Sequence, residues 1–463
     1  MESGRSYRFK KKVNRENEKV TYETIYKFYK LMSLRAAARG VIMGVMAGVI
    51  MTGVLGLASC DNNQNRPPDG PTAKEIQAKE IHNRILTLDS HVDISSDYTL
   101  KPEFDPGKDT KMKVDLPKMA RGGLDGAFFI VYVGQTKRTE ANYAAAKKEA
   151  IRKFEAIHRM TDILYPGRIG LAYTPDDVRR INKEGRKVAV IGIENGYVIG
   201  KDISLVEDYY KRGARYMTLA HNGHNDICDS AQPKKDLGDK PAEHGGVSPF
   251  GKEVIAKMNS LGMMVDISHV SVDCMMQAVD ISKAPVIASH SSAYALAGHP
   301  RNLTDDQMTF LARKGGVMQL VAYTGFVKFD PARGDAIDAL MEKTSKAHGL
   351  ANHDDVNIEK TADWAAGLVE INKNYPMATV KDFVDHIDYA VKIMGIDHVG
   401  ISSDFDGGGE ITGWKDASES PNITKELITR GYTEEDIAKI WGGNLLRVWA
   451  EVNNAARKLQ ATD

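Results

Sequence analysis

Residues 85–94 read ILTLDSHVDI. Apolar and β-branched residues run into two polar groups one residue apart, His91 and Asp93. The run has the length of a buried strand. Side chains alternate along a strand, so residues i and i+2 share a face. A core strand therefore ends on a histidine and an aspartate that point the same way. Seven further runs of this kind follow: 126–134 (GAFFIVYVG), 188–194 (VAVIGIE), 214–221 (ARYMTLAH), 262–268 (GMMVDIS), 284–290 (APVIASH), 315–323 (GGVMQLVAY) and 398–404 (HVGISSD). Helical patterns lie between them, among them 140–164 and 251–261. Near-continuous apolar strands alternating with helices predict a parallel sheet covered on both faces. Eight such units predict a closed α/β barrel of the TIM type, (β/α)8. An open doubly wound sheet is the competing architecture, but no Gly-rich phosphate loop follows the first strand. Residues 324–377 exceed what a loop and one helix need, which predicts a helical insertion after the seventh strand, near the site.

Six of the eight runs stop on His, Asp or Glu: His91 with Asp93, then Glu194, His221, His269, His290 and Asp404. In a barrel the carboxyl ends of all strands converge on one mouth, where active sites of this fold sit. A single buried histidine is usually a hydrogen-bonded core residue, and a single Asp after a strand is usually a helix cap. Neither explains several such residues at the same end of successive strands, since four of only 13 histidines fall there. His299, His348, His353, His386 and His398 have no such placement and read as structural. His224 and His244, in the loop after the fourth strand, stay open, and Asp406 is a cap or a supporting group. The chain has three cysteines, Cys60, Cys228 and Cys274, with no disulfide framework and no CxxC knuckle, so a metal site must draw on His, Asp and Glu. His and carboxylate ligands suit zinc. His269 and His290 lie 21 residues apart, one strand-helix-strand step, and so occupy adjacent strands. Two ligand pairs and a central carboxylate suggest two metal ions, Zn2+ or a neighbouring metal, bridged by Glu194. Such a pair can hold a shared hydroxide, polarise a carbonyl and stabilise an oxyanion.

Of the 463 residues, 62 are Lys or Arg and 62 are Asp or Glu. The formal charge is zero, which argues against nucleic acid as the main partner. The 42% hydrophobic content is ordinary for a folded body. Residues 1–60 differ from the rest. A charged leader precedes Arg35 and Arg39, then an uncharged run from Gly40 to Ser59 closes on Leu57-Ala58-Ser59-Cys60. A basic region, an apolar region and a small-residue exit make a secretory signal. The ending L-A-S-C resembles a bacterial lipobox, whose cysteine, here Cys60, becomes the lipidated first residue. A transmembrane anchor is the competing reading, but residues 61–72 follow as a polar tether. The expectation is a lipoprotein outside the cytoplasm, held to the membrane at its amino end, with residues 73–463 as the catalytic domain.

The stretches DSHVDI, IGIENG, RYMTLAHN, VDISHVS, APVIASHSSAYAL, RNLTDDQM and HVGISSDFDG together resemble the membrane dipeptidases, or renal dipeptidases, a group of zinc-dependent amidohydrolase-like barrels. The likeness runs from about residue 83 to the carboxyl end. It implies hydrolysis of dipeptides, including those with a carboxyl-terminal D-residue, and a homodimer. It implies His91 and Asp93 on one zinc, His269 and His290 on the other, and Glu194 between them. By the same resemblance, His221 steadies the tetrahedral intermediate and Asp404 moves the proton from water to the leaving amine. Arg301 clamps the substrate carboxylate, a role that suits a planar guanidinium; alone it would read as a surface salt bridge. Tyr323 is a further candidate contact. Asn195 stands where the family commonly has Gly, and the disulfides and carboxyl-terminal anchor of the animal members are missing. The competing functions are a barrel acting on another amide, lactone or phosphoester bond, and a surface lipoprotein that binds peptides without cleaving them.

Overall fold

Strands form here where apolar residues alternate between two buried environments. In the computed structural model, which describes residues 72–350, 357–358 and 360–462, nine strands pair in parallel. They are β1 (Leu88–Asp93), β2 (Gly126–Tyr132), β3 (Ile169–Leu171), β4 (Lys187–Glu194), β5 (Ala214–Thr218), β6 (Met264–Asp266), β7 (Ile287–Ser291), β8 (Val317–Val321) and β9 (Val399–Ser402). Eight of them follow one another in the order β1-β2-β4-β5-β6-β7-β8-β9. The last edge closes through residues just past β9. Val92 bridges Phe405, the Asp93 N–H donates to Phe405 O at 2.9 Å, and the Asp404 N–H donates to His91 O at 3.1 Å. This is the TIM-type barrel that the eight runs predict. The addition is β3, which pairs with Lys187–Ala189 of β4 before β5 takes over that edge at Ile191. Three residues are too few to carry a period in the sequence.

The alternation decides what fills the barrel. Phe128, Ile130, Val188 and Val190 cluster with Leu88, Tyr216 and Met264, and with Leu445, Trp449 and Val452 of the last helix, Asn444–Gln460. Their neighbours Ala127, Phe129, Val131, Ala189, Ile191 and Ile193 pack into the larger core under the surrounding helices. The rings of Trp449 and Phe128 lie 6.0 Å apart, and those of Phe128 and Tyr216 5.3 Å apart. A stack of aromatic rings thus rises from the closing helix through the barrel. Gly192 makes room for it, because a Cβ there would stand 2.4 Å from Tyr216 Cζ.

The insertion predicted after the seventh strand is present as the helices Thr324–Val327, Pro331–His348 and Ala362–Asn374. The run 140–164 is an α-helix to His158 that continues as a π-turn to Leu164. The charged leader, the lipobox with Cys60, the tether up to residue 71 and His353 lie outside the described residues. Among the described residues no helix is long and apolar enough to cross a membrane.

Candidate metal centre and active site

Four of the predicted site residues lie within strands: His91 and Asp93 on β1, Glu194 on β4 and His290 on β7. His221, His269 and Asp404 lie two or three residues past β5, β6 and β9, so those strands stop short of the predicted ends. The backbone explains the difference. His269 and Asp404 take left-handed conformations, with φ of 68° and 57°. That region is costly for most residues, and Asn, Asp and His populate it several-fold more than others. The chain leaves the ladder and bends its side chains back over the mouth. Asn195 has φ 76° directly after Glu194, which is why Asn can stand where the family commonly has Gly.

Asp93, Glu194, His221, His269, His290 and Asp404 line a cavity of about 810 Å³, and His91 is buried against Asp93 and Glu194. Glu194 faces two ways. Its Oε1 lies 3.0 Å from His269 Nε2, 3.3 Å from His290 Nε2 and 3.6 Å from His221 Nε2. Its Oε2 lies 3.4 Å from His91 Nε2, which is also 3.4 Å from Asp93 Oδ2 and 3.9 Å from Asp404 Oδ1. Gly407 brings the loop after β9 against this group; a Cβ there would stand 2.2 Å from Asp93 Oδ2.

Each ligand-type imidazole is held by its other nitrogen. His91 Nδ1 meets the Tyr216 hydroxyl at 2.8 Å, and that hydroxyl donates to Ser90 O at 3.1 Å. His290 Nδ1 meets Ser289 Oγ at 2.8 Å, and Ser289 donates to Asp266 Oδ2 at 2.6 Å. His269 Nδ1 meets Asn222 Oδ1 at 3.2 Å. In all three the partner oxygen accepts, so Nδ1 carries the proton and Nε2 turns its lone pair inward. Metal-bound histidines are supported in this way. The Nε2 atoms of His269 and His290 then stand only 2.8 Å apart, a contact between lone pairs that repels unless a cation is shared. His91 Nε2 and Asp93 Oδ1 are buried without a hydrogen-bond partner. Tetrahedral zinc with bonds of about 2.0–2.1 Å sets its ligand atoms roughly 3.3 Å apart, and the spacings around Glu194 scatter about that value. The donors therefore fit metal.

Electrostatics agree. Burial, with Arg301 and His221 nearby, holds His269 well below the usual imidazole range; burial and His91 do the same to His290. Both are neutral, the form that binds metal. Burial opposes a charge on His91, but Glu194 and Asp93 outweigh it and raise its proton affinity strongly. A cation beside Nε2 would answer the same field. Burial, reinforced by Asp93 and Glu194, raises the Asp404 carboxyl well above the usual range. Burial lowers His221 to about 4.

Arg301 is 3% exposed, so the surface salt bridge is ruled out. Its Nη2 donates to His290 O at 3.1 Å, its Nε has no partner, and its guanidinium lies 5.2 Å from the Phe326 ring centre. His299, read as structural, accepts from Arg301 N at 3.1 Å but also borders the cavity, as does Tyr323. His224 and His244 are settled as structural: their Nε2 atoms donate to Lys240 O and Asn225 O, each at 2.8 Å. Asp406 accepts from Lys113 N and Val114 N and pairs with Lys360, so it braces the mouth. Cys228 lies buried beside Cys274, away from the ligand set. The sequence reading missed Tyr216, Ser289, Asn222 and Asp266. Ser289 and Asn222 each adjoin a predicted site histidine, the one signal they carry; Tyr216 is 125 residues from His91 and carries none.

A profile of the membrane dipeptidases, peptidase family M19, matches residues 75–463. The chain belongs to the membrane dipeptidase family. Dipeptidase tcpJ of Claviceps purpurea (strain 20.1) is 32% identical over 365 residues, covering 78% of this chain and 74% of that protein. Dipeptidase aclJ of Aspergillus oryzae is 29% identical, covering 83% and 82%. The crystal structure of the probable dipeptidase PvdM from Pseudomonas aeruginosa superposes with a TM-score of 0.73 at 36% identity, over 82% of this chain and 99% of that one. A metallopeptidase from Rhodobacter sphaeroides, solved with a phosphinate mimic of L-Ala-D-Ala, shares the fold, with a TM-score of 0.63 at 21% identity over 80% of this chain and 99% of that one. The member described here is a metal-dependent dipeptidase with a TIM-type barrel.

Proposed function

We propose that this dipeptidase is a binuclear zinc enzyme, with His91 and Asp93 holding one ion, His269 and His290 the other, and Glu194 bridging them. The observation that carries this reading is the set of three imidazoles whose Nδ1 protons are all engaged and whose Nε2 lone pairs converge on the two oxygens of Glu194. When bound, the ions would polarise the scissile carbonyl and supply a nucleophile at neutral pH.

The chain's own residues do the rest. Arg301 binds the substrate's terminal carboxylate. A buried guanidinium with an unpartnered Nε and no carboxylate paired to it among the described residues supports that role, and a charge-assisted pair there is short and strong. His221, neutral through burial, lies beside Glu194 and hydrogen-bonds the carbonyl oxygen as its charge grows. Asp404 takes a proton from the attacking water and returns it to the leaving amine; its crowding by Asp93 and Glu194 supports a group that holds and releases a proton readily. The same proposal has the protein outside the cytoplasm, lipidated at Cys60, and working as a homodimer.

The test is a panel of dipeptides with L- or D-residues at the second position, assayed by amino-acid analysis. Activity should vanish with chelator and return with zinc, at two equivalents bound per chain. Arg301→Ala should raise KM steeply for every substrate. One bound equivalent overturns the binuclear reading, and an unchanged KM in Arg301→Ala overturns the clamp. Mass spectrometry of the mature amino end tests the anchor: an unmodified chain starting before Cys60 refutes it. Light scattering tests the dimer, which a monomer would refute.

A further inference from the structure

A buried arginine of the helical insertion reaches the cavity. Arg333 stands in the first turn of the helix Pro331–His348 and is 7% exposed, yet it lines the same cavity as the site residues. Its Nη2 donates to Asn372 Oδ1 at 3.0 Å, and its Nε is buried without a partner. The two acidic residues that bear on it are committed elsewhere. Asp330 caps the helix, accepting from Ala332 N at 3.0 Å and Arg333 N at 3.4 Å. Glu410 pairs with Lys113 Nζ at 3.3 Å. A guanidinium carries five donors and stays charged. Taking it out of water beside one neutral amide is costly, and an arriving anion relieves that cost.

Arg301 already serves the terminal carboxylate that every dipeptide carries. It packs on Phe326, Tyr323 meets Phe326 edge-on at 4.6 Å between ring centres, and Tyr323 is among the groups that bear on Arg333. Phe326 and Tyr323 thus form an aromatic wall of the cavity, with Arg301 packed on Phe326 and Arg333 lining the cavity beside Tyr323. We propose that Arg333 forms a subsite for a second carboxylate, and that the enzyme prefers dipeptides containing an aspartyl or glutamyl residue. This deepens the dipeptidase reading above and rests on it.

The experiment compares kcat/KM for acid and amide isosteres of equal size, Ala-Glu against Ala-Gln and Glu-Ala against Gln-Ala, on the zinc-loaded enzyme. A charge-assisted pair at Arg333 should favour one of the two acidic substrates by roughly 10- to 100-fold. Arg333→Gln should shrink that ratio to within about threefold. A wild-type ratio near one for both pairs, or a ratio that survives in Arg333→Gln, overturns the subsite. A measurement on the wild type alone guards against a variant that fails to fold: free glutamate should inhibit at least about tenfold more tightly than glutamine, and equal inhibition overturns the proposal. Cleavage of all four substrates at equal rates sinks the subsite and leaves the dipeptidase standing. Cleavage of none sinks the dipeptidase reading and the subsite with it.

Discussion

Replacing Tyr216 with Phe removes one oxygen from the barrel interior and nothing else. That oxygen accepts the His91 Nδ1 proton at 2.8 Å and donates to Ser90 O at 3.1 Å. Without it, the His91 Nδ1–H is left buried and unpaired, at about 1–3 kcal/mol. The imidazole loses the partner that keeps its proton on Nδ1, so its proton can move to Nε2, the atom that faces Asp93 and Glu194. Loss of such a supporting hydrogen bond weakens metal affinity by about 10- to 100-fold, or roughly 1.4–2.8 kcal/mol. In the two-ion arrangement proposed above, the effect should fall on one of the two sites. His269 and His290 are held by Asn222 and Ser289, which Tyr216 does not touch. Zinc titration against a competing chelator should therefore show one weakened and one unaltered step, and Ser289→Ala should weaken the other step. If Tyr216→Phe lowers stability but leaves both zinc affinities within twofold of the parent, Tyr216 is only a packing group and the tautomer argument fails.

His82 supplies an acid-sensitive latch far from the site. Its ring is buried, with Nε2 donating to Gly122 O at 2.9 Å and Nδ1 accepting from Thr424 Oγ1 at 2.7 Å, and burial lowers its pKa to about 4. The unfolded chain binds this proton near pH 6.5 and the native chain near 4, so the stabilisation is complete above about 6.5 and is lost as pH falls towards 4. The full loss is about 3 kcal/mol. Urea midpoints at pH 7.5 and 5 should differ less in His82→Gln than in the parent; an equal difference removes His82 from the account. Gly192→Ala places a Cβ against the Tyr216 ring and should cost roughly 1–3 kcal/mol by overpacking, read as a lower thermal midpoint, with the weakened zinc step of Tyr216→Phe. Wild-type values for both would mean the ring has room to move. Asp404→Asn should keep its bound metal and lose about 10²–10⁴ in kcat, and normal turnover would end its role as proton carrier.

The strand period and the clustering of His, Asp and Glu at strand ends are local features, so the barrel and the set His91, Asp93, Glu194, His221, His269, His290 and Asp404 could be read from the chain alone. Period two puts His91 and Asp93 on one face whatever the rest of the fold does. A single-residue feature such as Asn195 was legible only as a departure, until its positive φ explained it. Other facts belong to the closed barrel. Closure sets Tyr216 of β5 under His91 of β1, and it turns the two oxygens of Glu194 towards different ligand groups. It also buries Arg301 with no carboxylate paired to it among the described residues, where sequence alone favoured a surface salt bridge. Arg333 gave no signal, because an arginine in the first turn of a helix is ordinary until the insertion folds over the mouth. Sequence dictates which side chains share a face of a strand or helix, since that depends on backbone period. Only the tertiary structure decides which faces meet, which proton sits on which nitrogen and which charge is left without a partner, because those follow from contacts between residues far apart in the chain.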